Sequence, residues 1–595
     1  MNFFKTFFAS FLAVILGVLI GIPIIFMLVA GIFGAIASAG QQEVQIKPHT
    51  ILKIELKEQI VEDASPSGID FDISQFVPLP VEVSASQIGL YQIVRNLEAA
   101  ATDENIDGIY LNLSPAMQAG WASLKSIREA LVDFKNSGKF VYAYAEIYTE
   151  PSYYLASVAD SIYMPNQGRM EFNGLASSPM FYAGLFEKVG ISPQVFKVGT
   201  FKSATEQYTR KDMSAANKEQ IEILLDDIWQ SFAEEVAPAR DMSQEQLNEI
   251  ANSFMIGGGN AAQRVGLVDQ SDYEDAVLTV LAERSSREKL ADLRLVSLNK
   301  YLRVAKKRKR GDGKIAIIFA EGTIQTGKSG QGVAGSESIV KALRKAREDK
   351  NVKAVVLRVN SPGGMALAAD LMAHEVEECA KVKTVVASMG DYAASGGYYI
   401  AAPCDRIFAQ ANTITGSIGI FSVLFDPREL LNQNIGLTFD EVETHPHANF
   451  LNPMFPISEA ERTFFQAQTE EGYGTFIEVV RAGRDFKDSV AVDKIAQGRV
   501  WSGASAQRIN LVDELGSLND AIAYAAEQAG LGDQYRIVRF SAPQDPFEEL
   551  MNGFGASAKQ DLAPFKEEIR LYQEFKRNFP RSGTYALMPY QMPIR

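Results

Sequence analysis

Ser395 lies in the stretch MGDYAASGGYYIAA, Met389 to Ala402, directly ahead of two glycines and an apolar run that reads as the start of a helix. A serine so placed can add its hydroxyl to a carbonyl, but only if a neighbouring base takes the proton. The chain has four histidines, His49, His374, His445 and His447, and none stands in an obvious partner motif. The start of a helix leaves its first N–H groups free and carries the positive end of the helix dipole, so the Gly396 amide would face an oxygen that gains negative charge. A second anion-friendly turn, NSPGG (Asn360 to Gly364), follows the strand-like VVLRV. Glycines there let backbone amides approach a ligand closely. Two such turns could form an oxyanion hole beside Ser395. They could equally be plain strand-to-helix turns, and the local sequence leaves both readings open.

The elements that must position these residues alternate. KIAIIFA and AVVLRVN are short β-rich runs with the helical ESIVKALRKARED between them; ADLMAHEVEECAKV is a second amphipathic helix and TVVASM a further strand. Such alternation predicts a largely parallel sheet covered by helices, an α/β fold. The pattern occurs twice. DENIDGIYLNLS from Asp103 matches DKNVKAVVLRVN from Asp349, YYLASVADSIY from Tyr153 matches YYIAAPCDRIF from Tyr398, and AAQRVGLVD from Ala261 matches SAQRINLVD from Ser505, at offsets of 246, 245 and 244 residues. A period this long is too great for a solenoid and implies two copies of one domain.

Around this duplication the chain divides into residues 1–45, a first repeat 46–304, a basic linker 305–313, a second repeat 314–540 and a C-terminal extension 541–595. No charge occurs between Lys5 and Glu43, and that apolar run is long enough for a hydrocarbon core of roughly 30 Å. A cleaved signal peptide would have a shorter apolar region, so the expectation is an uncleaved anchor. Lys5 places the N-terminus in the cytoplasm and the bulk outside, in a bacterium the periplasm. The formal charge of −15 argues against general nucleic-acid binding. AKKRKRGDGK, Ala305 to Lys314, reads as a solvated linker. Cys379 and Cys404 read as small core residues.

LRVNSPGG, SMG…AASGGYYI, NTITGSIGIF, DKIAQGRVWSG and VGTFKSATEQYTRKDMS together resemble the long, duplicated form of the bacterial signal peptide peptidase A family, also called protease IV. The resemblance runs from the apolar N-terminus to about Asp520. It implies a tandem Clp-protease/crotonase-like fold, a membrane-anchored serine protease acting on signal-peptide remnants and other apolar peptides, a homotetramer, and no metal or organic cofactor. It also implies a base for Ser395: the lysine in GTFKSATE, Lys202, from the first repeat. By the same resemblance Ser417 positions the lysine, and the Gly396 and Gly364 amides hold the oxyanion, Gly363 being the neighbouring choice for the latter. Met365 and Asp391 depart from the motifs, and Asp391 raises the question of charge in the cleft.

The duplication is consistent with a divided site. Ser395 corresponds to Glu150 and Gly396 to Pro151, so the first repeat lacks the nucleophile and an oxyanion amide. Lys202 corresponds to His447–Ala448, which makes His447 a rival base within the second repeat. GTIQTGKS, Gly322 to Ser329, satisfies the phosphate-binding loop pattern, but a flexible GQGVAG follows where a helix is required. The non-enzyme alternative is a membrane scaffold with a vestigial site. Retention of both Ser395 and Lys202 argues against it.

Overall fold

The computed structural model describes residues 46–64, 87–253, 255–302, 311, 313–540 and 584–587. The expected membrane anchor, the basic run of the linker and all of the C-terminal extension except Thr584–Leu587 lie outside these residues. Among the described residues no helix is long and apolar enough to cross a membrane.

Each repeat is built on a parallel sheet, and the two sheets share one strand order. In the first repeat the order is Leu295–Ser297, Thr50–Ile54, Ile106–Asn112, Phe140–Tyr144 and Ser161–Tyr163. In the second it is Tyr535–Phe540, Gly313–Glu321, Val352–Ser361, Thr384–Ala394 and Arg406–Ala409, again all parallel. The internal sequence repeat is therefore a repeat of topology. The second sheet starts at Gly313, one residue inside the expected linker.

Burial on both faces explains why these strands read as continuous apolar runs. Along Gly313–Glu321, Ile315 and Ile317 pack with Ala521 and Ile522 of the helix Leu518–Gln528. The alternate residues Ala316, Ile318 and Ala320 face the opposite layer, with Ile339, Leu343 and Ala346 of the helix Ser336–Glu348. Those three positions recur at the spacing of one helix face. Cys379 and Cys404 are free and sit in this same core.

Two elements run beyond their sequence expectation, and both lead to the site. The strand expected at TVVASM extends through Asp391 to Ala394, because Tyr392, Ala393 and Ala394 pair with Ile414–Gly416. NSPGG is not a bare turn: Gly363–Met365 forms a short strand before the helix Ala366–Ala380. That strand joins a separate six-stranded sheet ordered Val333–Gly335, Thr323–Gln325, Gly363–Met365, Thr584–Leu587, Phe421–Asp426 and Ser192–Lys197. The last strand belongs to the first repeat and pairs antiparallel with Phe421–Asp426 of the second. This pairing carries the residues after Lys197 into the second repeat.

Candidate active site

The strand Thr384–Ala394 hands directly to the helix Gly396–Ala401, and Ser395 is the junction. Its φ of 55° and ψ of −117° are unusual for a residue with a side chain. Backbone held this way costs on the order of 1–3 kcal/mol and needs surrounding bonds to persist. Those bonds are present: Ser395 N–H donates to Gly416 O at 2.8 Å, and Tyr399 N–H donates to Ser395 O at 2.9 Å. Gly397 is required for the approach, since a Cβ there would lie 2.6 Å from Ser361 O.

Lys202 reaches the same point from the first repeat. It follows the Ser192–Lys197 strand and a turn at Gly199, whose φ is 105°. Its Nζ lies 2.9 Å from Ser395 Oγ, 3.0 Å from Ser417 O and 3.1 Å from Ser417 Oγ. Lys202, Ser395 and Ser417 are each 0% exposed. Burial alone pushes the Lys202 amine well below the ordinary lysine value. No carboxylate among the described residues pairs with it. An amine so placed can donate to both Ser417 oxygens and, when neutral, accept the Ser395 proton.

The lysine loop is braced by residues to which sequence reasoning assigned no role. Gly498, at φ 77°, lies so close that a Cβ would stand 2.6 Å from Lys202 N, Cα and Cβ; one on Gly419 would stand 3.2 Å from Lys202 Cδ. Gln220, on the helix Ala215–Ala239, donates to Phe201 O at 3.2 Å and Ser203 Oγ at 2.8 Å, and accepts from Val500 N–H at 3.3 Å. Ser417, at φ 50°, is fixed by its N–H donating to Arg499 O at 2.7 Å. Gly498 and Arg499 belong to DKIAQGRVWSG, a motif visible in the sequence whose task is apparent only once the lysine loop is seen lying on it.

Gly363 and Gly364 sit in different surroundings. The Gly363 N–H is committed to Ser361 Oγ at 3.1 Å. Gly364 stands opposite Ile324 on one side and Ala586 on the other, and a Cβ there would meet Ile324 O at 2.0 Å.

The remaining sequence candidates fall elsewhere. His447 is exposed, in an irregular stretch far in character from the fully buried Ser395. Glu150 and Pro151 begin the helix Glu150–Ala156, the counterpart of the Ser395 helix. The Glu150 carboxylate accepts from Asn173 N–H at 2.6 Å, and burial pushes that carboxyl up. GTIQTGKS does not lead into a helix: Ser329 Oγ accepts from Gly335 N–H at 3.0 Å, and the next helix starts at Ser336. Met365 packs partly buried against the second repeat's core. Asp391 is not a cleft charge; it is buried against the first repeat, 2.8 Å from Ser123 N and 2.7 Å from Ser123 Oγ.

Comparison with known proteins agrees with this duplicated plan. The model of peptidase family S49 matches twice, over residues 133–288 and 377–532, and that of the ClpP-like SDH-type serine proteinases matches 308–422. Protease 4 of Haemophilus influenzae is 37% identical over 469 residues, covering 76% of this chain and 75% of that protein. Protease 4 of Salmonella typhi is 38% identical, covering 80% and 77%. The chloroplastic serine protease SPPA of Arabidopsis thaliana is 35% identical, covering 79% and 71%. With two S49 matches in tandem and relatives that align across both repeats, this chain is a serine protease of peptidase family S49, in its duplicated signal peptide peptidase A form.

Proposed function

We propose that the chain is an endopeptidase in which Ser395 is the nucleophile and Lys202 the general base. The observation that carries this is the 2.9 Å separation of Lys202 Nζ and Ser395 Oγ, both fully buried. A neutral Lys202 accepts the Ser395 proton while Oγ bonds to the peptide carbonyl carbon. The Gly396 and Gly364 amides stabilise the resulting oxyanion. Protonated Lys202 then donates to the leaving amine as the C–N bond breaks, giving an acyl-enzyme. A water that loses its proton to Lys202 attacks the ester, and the acid leaves as Oγ regains a proton. Ser417 holds the amine through its carbonyl and hydroxyl.

The substrate we assign is a short, extended, apolar peptide such as a signal-peptide remnant. The Thr584–Leu587 segment supports an extended mode: it runs antiparallel to both Gly363–Met365 and Phe421–Asp426. A substrate strand in that lane would present its backbone to Gly364. We further assign residues 1–45 as a single membrane anchor, the catalytic bulk to the periplasmic side of a bacterial inner membrane, and the assembly as a homotetramer. Sedimentation of the detergent-solubilised chain and protease accessibility of intact spheroplasts test these assignments.

The direct test is covalent labelling by a serine-reactive peptidyl phosphonate, with the modified peptide mapped by mass spectrometry. Labelling of Ser395 that disappears in Lys202→Ala supports the pair; labelling that persists in Lys202→Ala contradicts it.

A further inference from the structure

The two halves of the Ser395–Lys202 pair come from different repeats, so their separation depends on what fixes one repeat to the other. Asp391 lies on the nucleophile's own strand, four residues before Ser395. Its carboxylate accepts from Ser123 N–H at 2.8 Å and from Ser123 Oγ–H at 2.7 Å. Ser123 is in the first turn of the helix Trp121–Asn136 of the first repeat. That helix has Gly120 as its N-cap, with φ −81° and ψ 166°, no capping side chain and no acid in its first turn. A Cβ on Gly120 would stand 2.1 Å from Asp391 Cγ, so glycine there leaves the room that the carboxylate occupies. A helix start needs acceptors for its first N–H groups and favours negative charge. Here the second repeat provides both.

From this helix a series of contacts returns to the lysine. Trp121 packs edge-on against Phe232, ring centroids 5.9 Å apart, and Phe232 belongs to the helix Ala215–Ala239. Gln220 of that helix holds the Phe201 carbonyl and the Ser203 hydroxyl on either side of Lys202. The path from Ser395 along its strand to Asp391, through two first-repeat helices, to Lys202 and across 2.9 Å back to Ser395 is closed. A second tie lies beside it: Arg358 donates through Nε and Nη2 to Glu62 at 2.8 and 3.0 Å, and through Nη1 to Met389 O at 2.6 Å. Glu62 is from the first repeat, and Met389 from the nucleophile strand.

We propose that Asp391 is a positioning residue for peptide hydrolysis, setting the register between the nucleophile strand and the lysine-bearing repeat by capping the first repeat's Trp121–Asn136 helix from the second. This rests on the Ser395–Lys202 reading. Its role differs from that of an ordinary helix cap because the acceptor is on the other repeat, so losing it loosens the tie between the repeats that lies nearest the nucleophile along its strand. A shift of about 1 Å in a reacting pair can cost on the order of a hundredfold in rate.

The test compares peptide turnover and thermal melting in wild type, Asp391→Asn, Asp391→Ala and the double variant Asp391→Ala/Gly120→Asp, with Ser395→Ala and Lys202→Ala as references. Asn keeps an acceptor for Ser123 N–H and a donor for its hydroxyl, so Asp391→Asn should stay within about threefold of wild-type kcat. Asp391→Ala should lose roughly ten- to a hundredfold in kcat, with KM changing much less. Asp at position 120 fits the space vacated and caps the helix from within the first repeat. The double variant should therefore regain the melting temperature but not kcat. It also decides the case in which Asp391→Ala alone does not fold. Recovery of kcat together with stability in the double variant, or unchanged kcat in Asp391→Ala, would overturn the proposal. Turnover surviving in Ser395→Ala or Lys202→Ala would instead sink the underlying catalytic pair, whatever Asp391 does.

Discussion

Lys202 Nζ stands 2.9 Å from Ser395 Oγ across 193 positions of chain and a boundary between repeats. Neither repeat alone holds this contact. The first contributes the amine on a loop that follows a strand paired into the second repeat. The second contributes the hydroxyl, the Ser417 oxygens and the glycine cradle. At the first repeat's own counterpart of the serine, a buried Glu150 carboxylate holds the Asn173 amide. The duplicated fold thus brings one half of this contact from each copy.

The buried amine makes stability depend on pH in a definite direction. Burial lowers the Lys202 amine's hold on its proton in the folded protein, whereas the unfolded chain binds that proton up to about pH 10.5. Over the interval between the lowered folded value and 10.5 the unfolded state carries more protons, so stability rises with pH there. Lys202→Met should be inactive yet melt higher than wild type near neutral pH, with the gap closing towards pH 10. Melting curves of both proteins from pH 6 to 10 check this.

An opposite slope is expected from the carboxyls between the repeats. Burial and then the Glu62 charge push Glu321 up to about 8, with Asp391 adding to the rise and Arg358 opposing it. Glu321 accepts from Glu62 N–H at 2.9 Å. Here the folded state holds the extra proton, so its contribution to stability is lost as pH rises from about 4.5 to about 8. Urea denaturation across that range should show Glu321→Gln flattening the decline.

Gly498 should be intolerant of a side chain. Its φ of 77° disfavours other residues, and a Cβ would press on Lys202 at 2.6 Å. Gly498→Ala should cost about 1–3 kcal/mol of stability and roughly a hundredfold in kcat. Denaturation and peptide turnover measured on the same preparation separate the two effects.

If a substrate strand takes the lane of Thr584–Leu587, a chain ending before Thr584 should bind peptide more tightly. KM for an apolar fluorogenic peptide should fall several-fold while kcat changes little. An unchanged KM would place the substrate elsewhere.

Much of this was legible beforehand because apolar periodicity and the repeated segments reflect local physics. KIAIIFA read as a strand and ESIVKALRKARED as a helix covering the sheet, and the structure fills in which residues face each layer. Ser395 was legible from its two glycines, and Lys202 through the family motif. The partners of Asp391 were not. A carboxylate beside the Ser395 turn looks like cleft charge until the structure shows its oxygens accepting from Ser123 N–H and Oγ–H, 268 residues away. Gln220 and Gly498 stayed silent for the same reason: a glutamine inside a helix and a glycine in a loop carry no local mark of the loop they brace. Chain pairing at long range, such as Thr584–Leu587 between two strands of the second repeat, leaves no periodic signal either.

The most direct measurement is hydrolysis of a fluorogenic apolar peptide across pH by wild type, Ser395→Ala, Lys202→Ala and His447→Ala. The divided Ser–Lys site predicts no turnover in the first two variants and wild-type turnover in the third, with a wild-type acid limb well below the ordinary lysine range. Activity retained in Lys202→Ala and abolished in His447→Ala would place the base within the second repeat and contradict the account.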